Sequence, residues 1–267
     1  MRLAGGPRGP CWRRCGEVAP RLGPSGVLPE ALTQQPTRPV TRAVFGQHWR
    51  DLTMLHWPVE PALVAPLLPR GTVPDLFDGV SYVGLVPFVM AGVSVLGTPA
   101  LPWLSGFAET NVRLYAVDGR GRRGVVFRSL EASRLLPVLV ARASYHLPYL
   151  WARMRVRHGS DTVSYTTSRR WPGPRGAASR VRVRIGARYE ADPLSTFLTA
   201  RWGLFSDWYG GVSVHAPVDH EPWPLHRATL LDLDDDLVEA AGLPMGGAPH
   251  VLWSPGVKVR IGRPQRL

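Results

Sequence analysis

The chain has 267 residues, 45% of them hydrophobic and 19% charged, with Gly 28 and Pro 27. That length supports a real core in one large domain or two small ones, and the Gly and Pro content favours short strands and many turns over long helices. The net charge is +12, yet the 25 basic and 18 acidic residues after position 42 are interspersed, and Lys258 is the single lysine, so no clustered footprint of specific nucleic-acid binding stands out.

Residues 1–42 are rich in Arg, Pro and Gly and lack periodicity, so they read as a disordered leader, followed by one folded domain over 43–267. The leader holds Cys11 and Cys15, the only cysteines. Two thiols complete neither a tetrahedral zinc site nor a disulfide framework, and the expectation is a reduced, cytoplasmic protein without an apolar secretion signal.

Alternating and aromatic positions predict a strand over Phe45–Trp57, and Pro61 near the first turn predicts a short helix over Glu60–Leu68 that Pro66 breaks. Phe77–Met90 reads as strand, single or folded on itself. It lies within the run 79–108, which has no Asp, Glu, Lys or Arg. The run is long enough to cross a bilayer, but Pro87, Pro99, Pro102 and its glycines interrupt it, and buried strand is the better reading.

Directly after that run comes F-A-E-T-N-V-R-L-Y, Phe107–Tyr115. On a strand Glu109, Asn111 and Arg113 share one face with Phe107 and Tyr115, at steps of roughly 7 Å. An acid, an amide and a guanidinium in one row can hold a small polar ligand; a half-exposed strand with its polar face in water has the same pattern. Asp118–Gly124 is a hairpin turn opened by Asp-Gly, and Val125–Leu130 is the returning partner. Helices are expected over Ser129–Tyr145, Leu194–Trp208 (with Asp192 as N-cap and Pro193 at N1) and Leu233–Ala241. Ala152–Val156, Arg180–Gly186 and Val257–Ile261 alternate basic with apolar residues, as half-buried strands do.

Among the histidines, His215, His220 and His226 lie close in sequence but are separated by prolines and fit no helical metal pair, so no metal is expected, and His220 is the one placed at a pocket. No P-loop, dinucleotide fingerprint or G-x-S-x-G elbow is present; G-R-G-R-R-G falls in a hairpin turn. No cofactor is expected.

The order of the motifs H-W-R-D-L-T-M-L-H-W (48–57), L-L-P-R-G (67–71), F-D-G-V-S-Y-V-G-L-V-P-F (77–88), F-A-E-T-N-V-R-L-Y (107–115), G-V-V-F-R-S-L-E-A (124–132), F-L-T-A-R-W (197–202) and H-E-P-W-P-L (220–225) resembles the YqjF-like bacterial family of unknown function. That family is similar in fold to acetoacetate decarboxylase. The resemblance implies a β-rich α+β fold, an antiparallel barrel or cone with a few outer helices around an apolar pocket. It also implies that Glu109 falls where the decarboxylase has a pocket glutamate. The decarboxylase's reactive lysine has no counterpart, because Gly124–Ser133 contains no lysine and Arg128 stays protonated and cannot form an imine.

Two functions follow as expectations. One is binding of a keto- or organic-acid-like small molecule by Asn111, His56, His220 and Tyr115 around Glu109 and Arg113. The other is a non-decarboxylating enzyme of hydratase, isomerase or lactonase type, with Glu109 as general base and Arg113 as oxyanion partner. A third reading makes Glu109 and Arg113 structural ties in the barrel wall. Homo-oligomerisation stays open.

Overall fold

The computed structural model describes residues 26–100, 106–135, 146–173 and 175–267. Among these residues thirteen strands form one sheet: β1 (Ala43–Val59), β2 (Thr72–Pro74), β3 (Ser81–Val95), β4 (Phe107–Asp118), β5 (Arg123–Ala132), β6 (Tyr149–His158), β7 (Thr162–Trp171), β8 (Ala178–Arg188), β9 (Gly203–Trp208), β10 (Val212–His220), β11 (His226–Asp235), β12 (His250–Gly262) and β13 (Gln265–Arg266). Among the described residues the helices are short: α1 (Pro61–Val64, continued as a 3-10 turn by Ala65–Leu67), α2 (Pro193–Thr199) and α3 (Leu237–Ala240). None is long and apolar enough to cross a membrane.

The sheet closes twice. Pairing of β4 with β5 closes a nine-strand barrel in the order β5-β6-β7-β8-β11-β12-β1-β3-β4. Pairing of β10 with β12, and of β9 with β5, closes a smaller ring of seven: β12-β1-β3-β4-β5-β9-β10. The two rings share the wall β12-β1-β3-β4-β5, so strands in that wall are covered on both faces.

This explains β4, which is buried at nearly every position although its residues alternate in polarity. Thr110, Val112, Leu114 and Ala116 face the nine-strand interior, where Thr110 and Thr167 hydroxyls lie 3.0 Å apart and Val112, Leu114 and Ala116 pack with Val163, Val181 and Val183. Glu109, Asn111, Arg113 and Tyr115 face the seven-strand interior, where Tyr115 packs with Leu204, Val218 and Val257. In β1 the two alternating sets exchange faces at Asp51, whose φ is 51° and which sits in a bulge between Arg50 and Leu55 against β3. Trp49 therefore faces the smaller ring, and Leu55 and Trp57 the larger one.

Three expected helices differ. Ser129–Ala132 is strand, the end of β5, bonded to β4 and β6; most of the remaining Ser133–Tyr145 lies outside the described residues. Over Leu194–Trp208 the helix ends at Thr199, because Gly203–Trp208 is taken into the sheet between β5 and β10. Leu233–Asp235 is the end of β11, where Asp232 and Asp234 pair with Arg180 of β8, and helix occupies only Leu237–Ala240. Strand pairing outweighs a helical spacing of apolar residues in each case.

Of the stretch expected as a leader, residues 26–42 are described and lie against the barrel. Glu30 N donates to Gly121 O at 2.8 Å, Trp202 Nε1 to Thr33 O at 3.1 Å, and Val40 N to Asp219 Oδ2 at 3.0 Å.

Candidate functional site

The smaller ring encloses a cavity of about 110 Å³, well above the ~10–15 Å³ that one water needs. Its walls are mainly apolar and aromatic, with Phe45, Trp49, Met90, Phe107, Phe127 and Leu147 among them. Into this apolar space β4 projects Glu109, Asn111 and Arg113 from successive inward positions. Tyr149 of β6, Arg201 after α2 and His220 of β10 add to the polar lining, beside Gln47 and Thr199.

Arg113 is 6% exposed and makes no ion pair among the described residues. Its Nε donates to Tyr115 Oη at 3.0 Å and its Nη2 to Leu198 O at 3.4 Å. Tyr115 Oη in turn donates to Leu198 O at 3.1 Å and lies 2.7 Å from His56 Nε2. His56 and Tyr115, grouped with the ligand contacts in the sequence reading, are thus behind Arg113 and are not cavity-lining; they fix its stem. Burial, then the charge of Arg113, hold His56 well below its ordinary pKa, so it is neutral.

Gly84 makes this arrangement fit. It is the register partner of His56 on one side and of Arg113 on the other. A Cβ there would lie 2.9 Å from His56 Cδ2 and 3.2 Å from Arg113 Cγ. Both neighbours are buried and hydrogen-bonded, so Gly84→Ala is expected to destabilise by about 1–3 kcal/mol, read as a drop in the urea midpoint.

Arg201 has a counter-ion: Nη1 pairs with Asp75, which Arg123 also contacts. Its Nε donates to Phe197 O at 2.7 Å, while its buried Nη2 has no hydrogen-bond partner. Asn111 Oδ1 is likewise buried without one. His220 Nδ1 lies 2.7 Å from Glu221 O and its ring rests between Trp202 and Trp223. Burial brings its pKa down to about 4, so at neutral pH the ring is uncharged and Nδ1 carries the proton given to Glu221 O, leaving Nε2 as an acceptor.

Glu109, 2% exposed, accepts from Tyr149 Oη at 3.1 Å. Burial is the main cause that pushes its pKa up to about 8; the Tyr149 hydrogen bond opposes this and the Glu131 charge adds to it. Burial likewise pushes the Tyr149 hydroxyl well above its ordinary value. At neutral pH Glu109 is therefore mostly a protonated donor. Because its folded pKa exceeds its unfolded value of 4.5, its contribution to stability is complete below about pH 4.5 and is lost as pH rises through about 8. His215 and His220, depressed to about 3 and about 4, act in the opposite sense and only below their unfolded value of 6.5. Between pH 6.5 and 8 the Glu109 effect stands alone among these groups. There the wild type is expected to lose up to about 1.4 kcal/mol per pH unit relative to Glu109→Gln, in parallel denaturant titrations.

The sequence reading brought Glu109, Asn111, Arg113 and His220 to one site, and the structure brings all four to one cavity. It missed Arg201 and Tyr149. Arg201 carried a signal, an arginine within the apolar spacing of F-L-T-A-R-W, whereas Tyr149 reaches Glu109 only through the parallel pairing of β6 with β5, which no local pattern announces. Lys258 is exposed on β12, in register with His48, so no primary amine of a side chain lines the cavity. Arg128 is turned elsewhere, with Nη1 donating to Leu67 O at 3.2 Å. Among the described residues no group of three or more His, Cys, Asp or Glu could hold a metal ion.

Solved structures share this fold at low identity. The enduracididine biosynthesis enzyme MppR, complexed with pyruvate, superposes with a TM-score of 0.60 at 13% identity, over 86% of this chain and 91% of that one. An acetoacetate decarboxylase-like enzyme from Sphingomonas wittichii RW1 gives 0.59 at 14% identity, over 84% and 93%. The acetoacetate decarboxylase of Legionella pneumophila gives 0.57 at 12% identity, over 90% and 91%. In sequence, the uncharacterized protein YqjF of Bacillus subtilis (strain 168) is 30% identical over 203 residues, covering 75% of this chain and 82% of YqjF. Residues 46–258 match DUF2071, described as an uncharacterized conserved protein. With that match spanning the double-ring barrel from β1 to β12, the chain belongs to the DUF2071 family.

Proposed function

We propose that the chain binds a small organic acid in the smaller ring, with the carboxylate on Arg113 and the apolar body against the aromatic wall. The observation that carries this is the Arg113 guanidinium, buried at the cavity without a carboxylate partner among the described residues. A buried charge without a counter-ion is costly, and an incoming anion supplies the missing partner. Arg201 Nη2, also unpartnered, adds a second donor on the same cavity. MppR, whose barrel has a similar fold, is complexed with pyruvate, which is consistent with a small organic acid as ligand. The bound acid stays non-covalent, because no lysine reaches the cavity.

Isothermal titration at low salt with acetate, pyruvate, hexanoate and phenylacetate, each beside its neutral amide, tests the reading. Binding of at least one acid with no heat from its amide is expected. Amides that bind as tightly as the acids would overturn it.

A second reading is favoured by the proton on Glu109. An acid of pKa about 8 in a cavity with an unpaired guanidinium can donate to a carbonyl oxygen of the ligand while Arg113 holds the adjacent anionic oxygen, which is the start of a hydration or isomerisation. Above its pKa the same carboxylate takes a proton from carbon. Exchange of α-protons of bound pyruvate into deuterated water, followed by NMR, is expected to rise through about pH 8 and to vanish in Glu109→Gln; exchange unaltered in that variant would remove Glu109 from the chemistry.

A further inference from the structure

The polar groups of the cavity do more than receive a carboxylate. Arg113 comes from one inward position of β4, Asn111 from the next and Glu109 from the one after, before Phe107 begins the apolar wall. Arg113 has its stem fixed by Tyr115, and Glu109 is engaged by Tyr149. Asn111 is different: it is 3% exposed, and its Oδ1 is buried without any partner. A buried amide oxygen left unpaired is costly, and an apolar side chain such as Val112 or Leu114, which β4 turns into the nine-strand interior, would have avoided that cost.

Within the organic-acid reading, on which this inference rests, we infer that the natural ligand carries a hydroxyl close to its carboxylate, and that Asn111 is the group that selects it. A hydroxyl both donates and accepts, so it satisfies the amide whichever way the amide is turned. It also accepts from the protonated carboxyl of Glu109, the neighbour one inward step along the strand. A plain fatty acid of the same length fills the apolar part but leaves the amide orphaned or keeps a water there. The ligand class is therefore a hydroxylated organic acid with an apolar chain or ring.

The discrimination has a direction that hydrophobicity alone does not give. Transfer from water disfavours the hydroxylated member of a matched pair, so a preference for it requires a polar group waiting in the site. Titration of the full-length protein with hexanoate, 2-hydroxyhexanoate and 3-hydroxyhexanoate provides the matched series. At least one hydroxy acid is expected to bind about tenfold or more tighter than hexanoate, the effect of roughly one hydrogen bond. In Asn111→Leu the order is expected to reverse, with hexanoate gaining and the hydroxy acid losing affinity. If Asn111→Leu does not fold, Asn111→Ala makes the same comparison, and the wild-type ratio decides on its own. Hexanoate binding as well as both hydroxy acids in the wild type overturns the inference and leaves the organic-acid reading standing. A hydroxyl preference that persists unchanged without Asn111 also overturns it. Absence of binding by all three acids takes down both readings together.

Discussion

Arg113→Met is expected to weaken binding of a carboxylate ligand by about a hundredfold or more while raising the melting temperature of the ligand-free protein. The two effects have opposite signs because the guanidinium is a liability without its ligand. Methionine keeps most of the length of the stem and has no charge to desolvate. Little is orphaned by the change. Tyr115 Oη retains Leu198 O at 3.1 Å and His56 Nε2 at 2.7 Å, and Leu198 O retains Tyr115. Truncating one member of a buried, hydrogen-bonded charge pair costs about 2–5 kcal/mol of binding, and each 1.4 kcal/mol is about tenfold. Calorimetry of the two proteins, with and without hexanoate, reads both quantities. A variant that melts several degrees lower and binds as before would make Arg113 a strut of the wall, the third reading that its sequence pattern allows.

That ambiguity shows where the sequence stops. The row Glu109, Asn111, Arg113 is legible, because three polar heads at period two after an uncharged run can lie only on one face of a strand. Whether that face meets water or a cavity is not, since it depends on the second closure of the sheet. The pairs Val218–Ile261 and Val125–Leu204 that make this closure are separated by 43 and 79 positions, and nothing local encodes them. The second closure also takes Gly203–Trp208 from apparent helix to strand, and pairing with β4 and β6 does the same for Ser129–Ala132. Local signals held where local physics decides. Asp192 caps α2 through Ser195 N at 2.7 Å with Pro193 at its first position, and Pro66 limits α1 to one turn before a 3-10 turn. That Lys258 is the chain's single lysine was legible in the sequence, whereas its place on the exposed face of β12, away from the cavity, was not.

The other large effect lies on the opposite face of the shared wall. Glu131 and Arg169 are 0% and 5% exposed inside the nine-strand barrel, with Arg169 Nη2 at 2.5 Å and Nε at 3.0 Å from Glu131 Oε1, and Ser129 Oγ at 3.1 Å from Oε2. Arg169→Met is expected to destabilise the protein by about 3–5 kcal/mol, because it leaves a buried carboxylate without its cation. The double variant Glu131→Leu, Arg169→Met is expected to recover most of that loss, since two apolar groups of similar volume leave no charge to desolvate. The single variant should also be worse at pH 8 than at pH 5. Burial already pushes the Glu131 carboxyl up, against the pull of Arg169, so without the arginine it folds in its protonated form, and that stabilising proton is lost as pH rises. Denaturant melts of the three variants at both pH values test this, and a double variant no better than the single one would show that the pair holds the barrel by more than mutual compensation. The consequence reaches the ligand cavity. After burial, the charge of Glu131 also raises the pKa of Glu109 through the wall, so the double variant should bring Glu109 below its value of about 8 and shift the pH dependence of stability between pH 6.5 and 8 toward lower pH. The two rings are built back to back on five strands, and a charge removed from one is felt by the acid in the other.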